Sequence, residues 1–143
     1  MKNILFLCTG NSCRSILAEA YVNHISDRWR GHSAGSTPTG TVHPMALETL
    51  ARAGIEADYA YSKSWDVFGD LAGPKMDTIV TVCDNAAGEA CPIWPGHPVN
   101  YHWPFPDPAV FSGSEEAVRG HFNDVFAMIK NRIDSFLADE ADA

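Results

Sequence analysis

Long hydrophobic runs are missing from the sequence. No apolar run among the 143 residues approaches the ~20 residues that a membrane-spanning helix requires. The first seven residues contain one lysine and only four consecutive apolar residues, too few for the apolar stretch of an export signal. We therefore expect no membrane segment and no export, and the predicted location is the cytoplasm, where thiols stay reduced.

Positive charge is also scarce. The chain has 10 Lys and Arg against 18 Asp and Glu, so its formal net charge is −8. Nucleic-acid binding requires clustered basic residues that neutralise phosphates, so a nucleic-acid partner is not expected. The overall charge would not attract an anionic ligand either. Any anion site must therefore be local, built from backbone N–H groups and a single arginine.

Repeats, low-complexity tracts and linkers are absent, and the length fits one domain over residues 1–143. Short apolar segments alternate with segments of helical periodicity. Strands are predicted at 4–7, 29–34, 78–82 and 99–103. Helices are predicted at 16–25, from 43–44 to Gly54, near Ser64 and over 118–137, with frayed ends at 138–143. This alternation predicts an α/β fold whose parallel sheet is covered on both faces and binds ligands beyond its carboxyl ends.

Cysteine is limited to four residues, and the first of them ends the first predicted strand. Helix N-termini and nearby cations lower the pKa of a thiol from its free value of ~8.5. Cys8 has both neighbours, because the first predicted helix begins shortly after it and Arg14 supplies a cation. We therefore interpret Cys8 as a nucleophile, against the alternative that it is a buried apolar residue.

The five residues between Cys8 and Arg14 have the composition of an anion-binding loop. If they form a ring, their N–H groups converge on one tetrahedral anion, and Gly10 and Asn11 tolerate the left-handed backbone that such a ring needs. Arg14 would bind two oxygens of the anion with its planar fork, and the Ser15 hydroxyl would stabilise the thiolate. Cys13 is assigned a structural role within the loop. The predicted binding residues are Thr9, Gly10, Asn11, Ser12, Cys13, Arg14 and Ser15.

The order Cys, five residues, Arg, Ser resembles the signature of the low-molecular-weight protein tyrosine phosphatase superfamily over its full length. The resemblance covers nearly the whole chain, because the order of the predicted elements is also similar. It implies a three-layer fold, with a four-stranded parallel sheet flanked by helices. Two branches of this superfamily share the loop, the phosphatases and the thiol-dependent arsenate reductases.

The phosphatase branch uses an acid in a distant Asp-Pro loop, and Asp107-Pro108 resembles that loop. Aromatic residues typically follow it in the phosphatases, whereas this chain has Ala109-Val110. The reductase branch needs further cysteines. Cys83 and Cys91, after the third predicted strand, resemble its redox pair, with a spacing one residue longer than its usual form.

The resemblance to the reductases implies a function. Cys8 would attack arsenate, Asp107 would protonate a departing oxygen, and Cys83 and then Cys91 would carry away the oxidising equivalents as a disulfide. Thioredoxin or another thiol reductant would be the partner, and arsenate or a phosphate-like oxyanion the ligand. A phosphatase that forms a phosphocysteine and a non-catalytic oxyanion-binding module remain the alternatives.

No cofactor and no metal site are predicted. Structural zinc prefers cysteine pairs separated by two to four residues, which Cys8 and Cys13 fit only loosely and Cys83 and Cys91 do not fit. The resemblance leaves open whether one ion, potassium, binds. In some reductases of this type, residues similar to Asn11, Glu19 and Ser33 surround a potassium ion. The alternative is that Glu19 bonds to the loop without an ion.

Overall fold

The computed structural model describes residues 1–68, 74–82, 98–110 and 113–141, and four strands in these ranges form one sheet. All neighbouring strands are parallel, in the order β2-β1-β3-β4. This confirms the predicted sheet. The strands are β1 (Lys2–Cys8), β2 (Trp29–Gly35), β3 (Thr78–Thr81) and β4 (Val99–His102).

Three α-helices and two short 3₁₀ helices lie between or after the strands within the described residues. The α-helices are α1 (Arg14–Ile25), α2 (Pro44–Arg52) and α3 (Glu115–Ala141), and the 3₁₀ helices cover Trp65–Val67 and Pro108–Val110. The predicted fraying was wrong for 138–141, because α3 continues to Ala141. Alanine and glutamate favour helix there, and Glu140 lies 3.9 Å from the Lys2 ammonium. Every helix in the described ranges is too short or too polar to span a lipid bilayer.

The two faces of the sheet have separate apolar cores, because successive side chains of a strand point in opposite directions. One core contains Ile4, Phe6 and Cys8 of β1 together with buried residues of all three α-helices. The other contains Leu5 and Leu7 with residues of the segment around the first 3₁₀ helix. Cys8 therefore ends β1 on the face that the α-helices cover.

The carboxyl ends of the parallel strands meet at one edge of the sheet. Beyond β3, the Val82 N–H donates to the Leu7 carbonyl at 2.9 Å, so this pairing extends to the residue before Cys8. The Phe105 N–H donates to the Val82 carbonyl at 3.1 Å. The segment after β4 therefore passes along the edge at which the β1–α1 loop lies.

Candidate active site

Cys8 lies at the carboxyl end of β1, and six residues later α1 begins at Arg14. Its side chain is buried, with 3% of the residue exposed. The Asn11 backbone N–H donates to Cys8 Sγ at 3.2 Å, and Ser15 Oγ lies 3.1 Å from the same sulfur. Two polar groups of the predicted loop thus converge on the predicted nucleophile, and both stabilise a thiolate better than a thiol when they act as donors.

Asn11 gives the loop its shape. Its φ is +47°, in the left-handed region, whereas Gly10 does not have a positive φ. Of the two residues expected to tolerate a left-handed backbone, Asn11 therefore adopts it and Gly10 does not. The fully buried Asn11 side chain donates to Ser15 Oγ at 2.8 Å and accepts from the Lys63 N–H at 2.9 Å. A short amide suits this position, because asparagine tolerates the left-handed region and can bond locally.

The carbonyls of the loop are bonded to the segments at 37–43 and 62–63. The backbone N–H groups of Thr37, Thr39 and His43 donate to the carbonyls of Thr9, Gly10 and Ser12 at 2.9, 3.0 and 2.9 Å. Ser62 Oγ also donates to the Gly10 carbonyl, at 3.1 Å. The sequence reasoning missed these supporting residues, since no pattern links them to the loop. Their bonds fix the loop before any ligand binds.

Arg14 and Asp107 are brought together although 93 positions separate them in the sequence. One terminal nitrogen of Arg14 donates to the Phe105 carbonyl at 3.0 Å, and the other lies 3.5 Å from Asp107 Oδ2. Their side chains are 15% and 34% exposed. The predicted acid therefore lies beside the predicted anion-binding arginine, at the open side of the loop.

Cys13 is the residue before α1, and only 3% of it is exposed. Burial, more than any other influence, raises the pKa of its thiol. A neutral thiol in this position packs within the core that the helices cover and is a poor nucleophile. The arrangement agrees with the structural role predicted for Cys13.

The other two predicted redox residues, Cys83 and Cys91, lie outside the described residues. The described chain ends just before Cys83, at the Val82 that is hydrogen-bonded to β1. Their roles therefore remain predictions.

Glu19 and Ser33, the remaining residues of the potassium hypothesis, are bonded to each other. Ser33 Oγ donates to Glu19 Oε1 at 2.5 Å, and both residues are buried. Burial raises the pKa of Glu19, and the nearby Lys63 ammonium opposes this rise. A potassium ion requires oxygen ligands that face a cation-sized space. The Asn11 oxygen accepts from the Lys63 N–H, and Glu19 Oε1 accepts from Ser33 Oγ, so Glu19 is bonded to β2 rather than to the loop, and the potassium site stays a prediction.

Comparisons with known proteins agree with this geometry. Residues 3–142 match the family described as low molecular weight phosphotyrosine protein phosphatase. An arsenate reductase of Bacillus licheniformis is 38% identical over 136 residues, which cover 94% of each chain. A solved arsenate reductase in the phosphate binding state is 25% identical, with a TM-score of 0.78 over 97% of this chain and 98% of that one. The arsenate reductase of Archaeoglobus fulgidus is 27% identical, with a TM-score of 0.74 over 94% of this chain and 98% of that one. The chain therefore belongs to the low-molecular-weight phosphotyrosine protein phosphatase family and, within it, to the branch of the arsenate reductases.

Proposed function

We propose that this protein reduces arsenate to arsenite, with Cys8 as the nucleophile and Cys83 and Cys91 as the redox pair. The observation that carries the proposal is the pairing of Val82 with β1, because Cys83 follows Val82 directly and β1 ends in Cys8. Cys83 is thus the next residue along the chain after this edge of the sheet. A thiol relay needs such a second thiol, whereas phosphate hydrolysis does not. The arsenate reductases among the relatives support the same reaction.

In the first step the Cys8 thiolate attacks arsenic. A sulfur–arsenic bond forms, one arsenic–oxygen bond breaks, and the departing oxygen leaves as water after it takes a proton from Asp107. Arg14 and the N–H groups of the loop hold the remaining oxygens. The position of Asp107 Oδ2, 3.5 Å from Arg14, supports this role because a bound anion would contact both side chains.

In the second step arsenic is reduced. Cys83 attacks the sulfur of Cys8, a disulfide forms between them, and the electron pair of the sulfur–arsenic bond stays on arsenic. Arsenate thus becomes arsenite while two thiols are oxidised. Cys91 then attacks Cys83, which releases the Cys8 thiolate and leaves a Cys83–Cys91 disulfide.

An external thiol must reduce that disulfide by exchange. We propose a dithiol carrier such as thioredoxin, because a second carrier thiol resolves the mixed disulfide and releases the protein. The cycle needs all three cysteines reduced at its start. The proposed location is therefore the cytoplasm.

Hydrolysis of a phosphomonoester is the second candidate, and the Arg14–Asp107 pair is the observation that favours it. A phosphatase needs the same anion-binding arginine and an acid that protonates the leaving group. The arrangement alone does not select arsenate over an aryl phosphate, since both are tetrahedral oxyanions.

The amount of arsenite that cysteine variants form tests the relay. The full chain is supplied with arsenate and thioredoxin, thioredoxin reductase and NADPH, and arsenite is measured. We expect Cys8→Ser and Cys83→Ser to form no arsenite. We expect Cys91→Ser to form one arsenite per chain and then stop with a Cys8–Cys83 disulfide, which peptide mapping identifies.

Three other results would contradict the proposal in different ways. Turnover by Cys83→Ser at the wild-type rate excludes the relay but keeps the reductase. Strong hydrolysis of an aryl phosphate by the wild type, without arsenite, selects the phosphatase. Equal behaviour of Cys8→Ser and wild type in both assays leaves only a non-catalytic oxyanion-binding module.

A further inference from the structure

The Ser62 side chain lies between the Cys8 loop and the segment at 37–43, and the proposed reaction does not use it. Its Oγ donates to the Gly10 carbonyl at 3.1 Å and accepts from the Gly40 N–H at 3.1 Å. A carbonyl can only accept and a backbone N–H can only donate, so the two partners fix the direction of both bonds. The hydroxyl hydrogen of Ser62 therefore points at the loop.

The peptide unit between Gly10 and Asn11 connects this hydroxyl to the nucleophile. The Gly10 carbonyl and the Asn11 N–H belong to one planar group, and the peptide bonds of the described residues are trans. In a trans peptide the carbonyl and the N–H point in opposite directions. The Asn11 N–H donates to Cys8 Sγ at 3.2 Å. A donor that holds the Gly10 oxygen on one side therefore aims the Asn11 N–H at the sulfur on the other side.

The orientation of this peptide depends on its hydrogen bonds. Asn11 has a φ of +47°, a region that residues other than glycine seldom occupy, so the local backbone alone does not favour this arrangement. The Gly10 oxygen has two donors, the Thr39 N–H at 3.0 Å and the Ser62 hydroxyl at 3.1 Å. The first belongs to the backbone and the second to a side chain. Ser62 is thus the donor that a substitution can remove.

The same bonds also affect the strength of the Asn11 N–H as a donor. Hydrogen bonds that follow one another polarise each other, because a donor at a carbonyl withdraws charge from the N–H of the same peptide. The series here runs from the Gly40 N–H through the Ser62 hydroxyl and the Gly10–Asn11 peptide to Cys8 Sγ. Asn11 and Cys8 are both buried, where water screens such effects little. A more polarised N–H stabilises a thiolate more than a thiol.

We propose that Ser62 is a positioning residue, whose hydroxyl aims and polarises the Asn11 N–H that stabilises the Cys8 thiolate. It acts through the Gly10–Asn11 peptide. The inference rests on the proposed role of Cys8 as the nucleophile, but it is tested without arsenate. A wild type that forms no arsenite would therefore count against the proposed function alone.

Three substitutions separate this role from a contribution to stability. Ser62→Ala removes the hydroxyl, and Ser62→Thr keeps it. Ser26→Ala is the matched control, since Ser26 is also a partly buried serine bonded to backbone. Its Oγ accepts from the N–H groups of Arg28 and Trp29 at 3.2 and 3.0 Å, beyond the other end of α1. Each alanine variant loses two hydrogen bonds to backbone, so we expect both to lower Tm by a few degrees.

Alkylation of Cys8 by iodoacetamide measures the predicted effect. The reduced full chain is treated at a series of pH values, and mass spectrometry of the Cys8 peptide gives the rate. Because the thiolate is the reacting form, the pH of half-maximal rate reports how well the negative charge is stabilised. A neighbouring bond changes the strength of a hydrogen bond by roughly 10–30%, so we expect Ser62→Ala to raise this pH by about 0.2–0.6 units. Ser62→Thr and Ser26→Ala should match wild type.

The other possible results overturn the proposal. A wild-type profile in Ser62→Ala, with the fold verified by circular dichroism, would show that Thr39 alone holds the peptide. An equal shift in Ser26→Ala would mean that the reactivity of Cys8 follows the overall stability of the chain. An equal shift in Ser62→Thr would assign the effect to the shape of the side chain and not to its hydroxyl.

Discussion

At the scale of single residues, the state of Cys8 depends on a short chain of hydrogen bonds. Asn11 Nδ2 donates to Ser15 Oγ at 2.8 Å, and Ser15 Oγ lies 3.1 Å from Cys8 Sγ. A thiolate has no hydrogen to give, so Ser15 must be the donor whenever Cys8 is charged. The amide thus orients the hydroxyl, and the hydroxyl stabilises the nucleophile.

Ser15→Ala should make Cys8 a weaker nucleophile at neutral pH. A hydrogen bond to a charged group contributes roughly 1.5–3 kcal/mol, so the pH of half-maximal alkylation should rise by about 1–2 units. Alkylation of Cys8 at a series of pH values measures this shift. Ser135→Ala, an exposed change on α3, is the control and should match wild type. An unchanged profile in folded Ser15→Ala would show that Asn11 N–H and the helix suffice.

Apart from Asp107, which the family resemblance supplied, the predictable part of the site is the part that is contiguous in sequence. Cys8, Arg14 and Ser15 follow a fixed spacing between a strand and a helix, and the structure places them together. Lys63 and the carbonyl of Phe105 reach the same loop from positions about 50 and 90 residues away. Such contacts depend on how separate segments pack, and no local pattern in the sequence encodes them.

At the scale of elements, the site depends on how closely β2 approaches the β1–α1 loop. Gly35 is the last residue of β2 and pairs with Cys8 in the parallel register. A Cβ atom on Gly35 would lie 2.5 Å from the Thr9 carbonyl oxygen and 2.9 Å from that of Cys8. Both oxygens belong to backbone, which cannot move aside without displacing the loop.

Gly35→Ala should therefore disrupt the site more than the rest of the fold. We expect a lower Tm and a loss of fast Cys8 alkylation at neutral pH, because the Thr9 and Cys8 peptides must shift. Gly120→Ala is the matched control, since its Cβ would meet no atom within 4 Å and alanine favours the interior of α3 by about 0.5–1 kcal/mol. A rate of Cys8 alkylation in Gly35→Ala equal to that of wild type would contradict the close packing of β2 against the loop.

The elements themselves were largely predictable, but their ends were less so. Strand β2 was predicted over 29–34 and extends to Gly35, and α3 extends beyond its apolar pattern to Ala141. Periodicity finds the buried face of an element, for example Phe122, Ile129 and Ile133 of α3. Periodicity does not predict a final turn that depends on exposed helix-forming residues and on an ion pair with Lys2.

At the scale of the whole molecule, ionisable groups that are wholly or partly buried link the stability of the fold to pH. Burial, with the charges of Arg30 and Lys63, lowers the pKa of His32 from 6.5 to about 4. Its ring is bonded to Asn3 Oδ1 at 3.0 Å and packs on Phe68. The unfolded chain therefore binds a proton at His32 between about pH 6.5 and 4 that the folded chain does not bind, and this difference favours unfolding as the pH falls.

Glu19 acts in the opposite direction, because its raised pKa makes the folded chain hold a proton that the unfolded chain releases. The pH dependence of the wild type is thus a sum of opposing contributions, and a variant is needed to isolate that of His32.

His32→Gln keeps a donor for the Asn3 oxygen but removes the titration. We expect the free energy of unfolding of this variant to fall less steeply than that of wild type from pH 6.5 to 4.5. Urea denaturation at several pH values measures both slopes, with the exposed His24→Gln as the control that keeps the wild-type slope. If His32→Gln and wild type lose stability in parallel, the partly buried His32 does not link the fold to pH, and carboxylates alone account for the acid sensitivity of the fold.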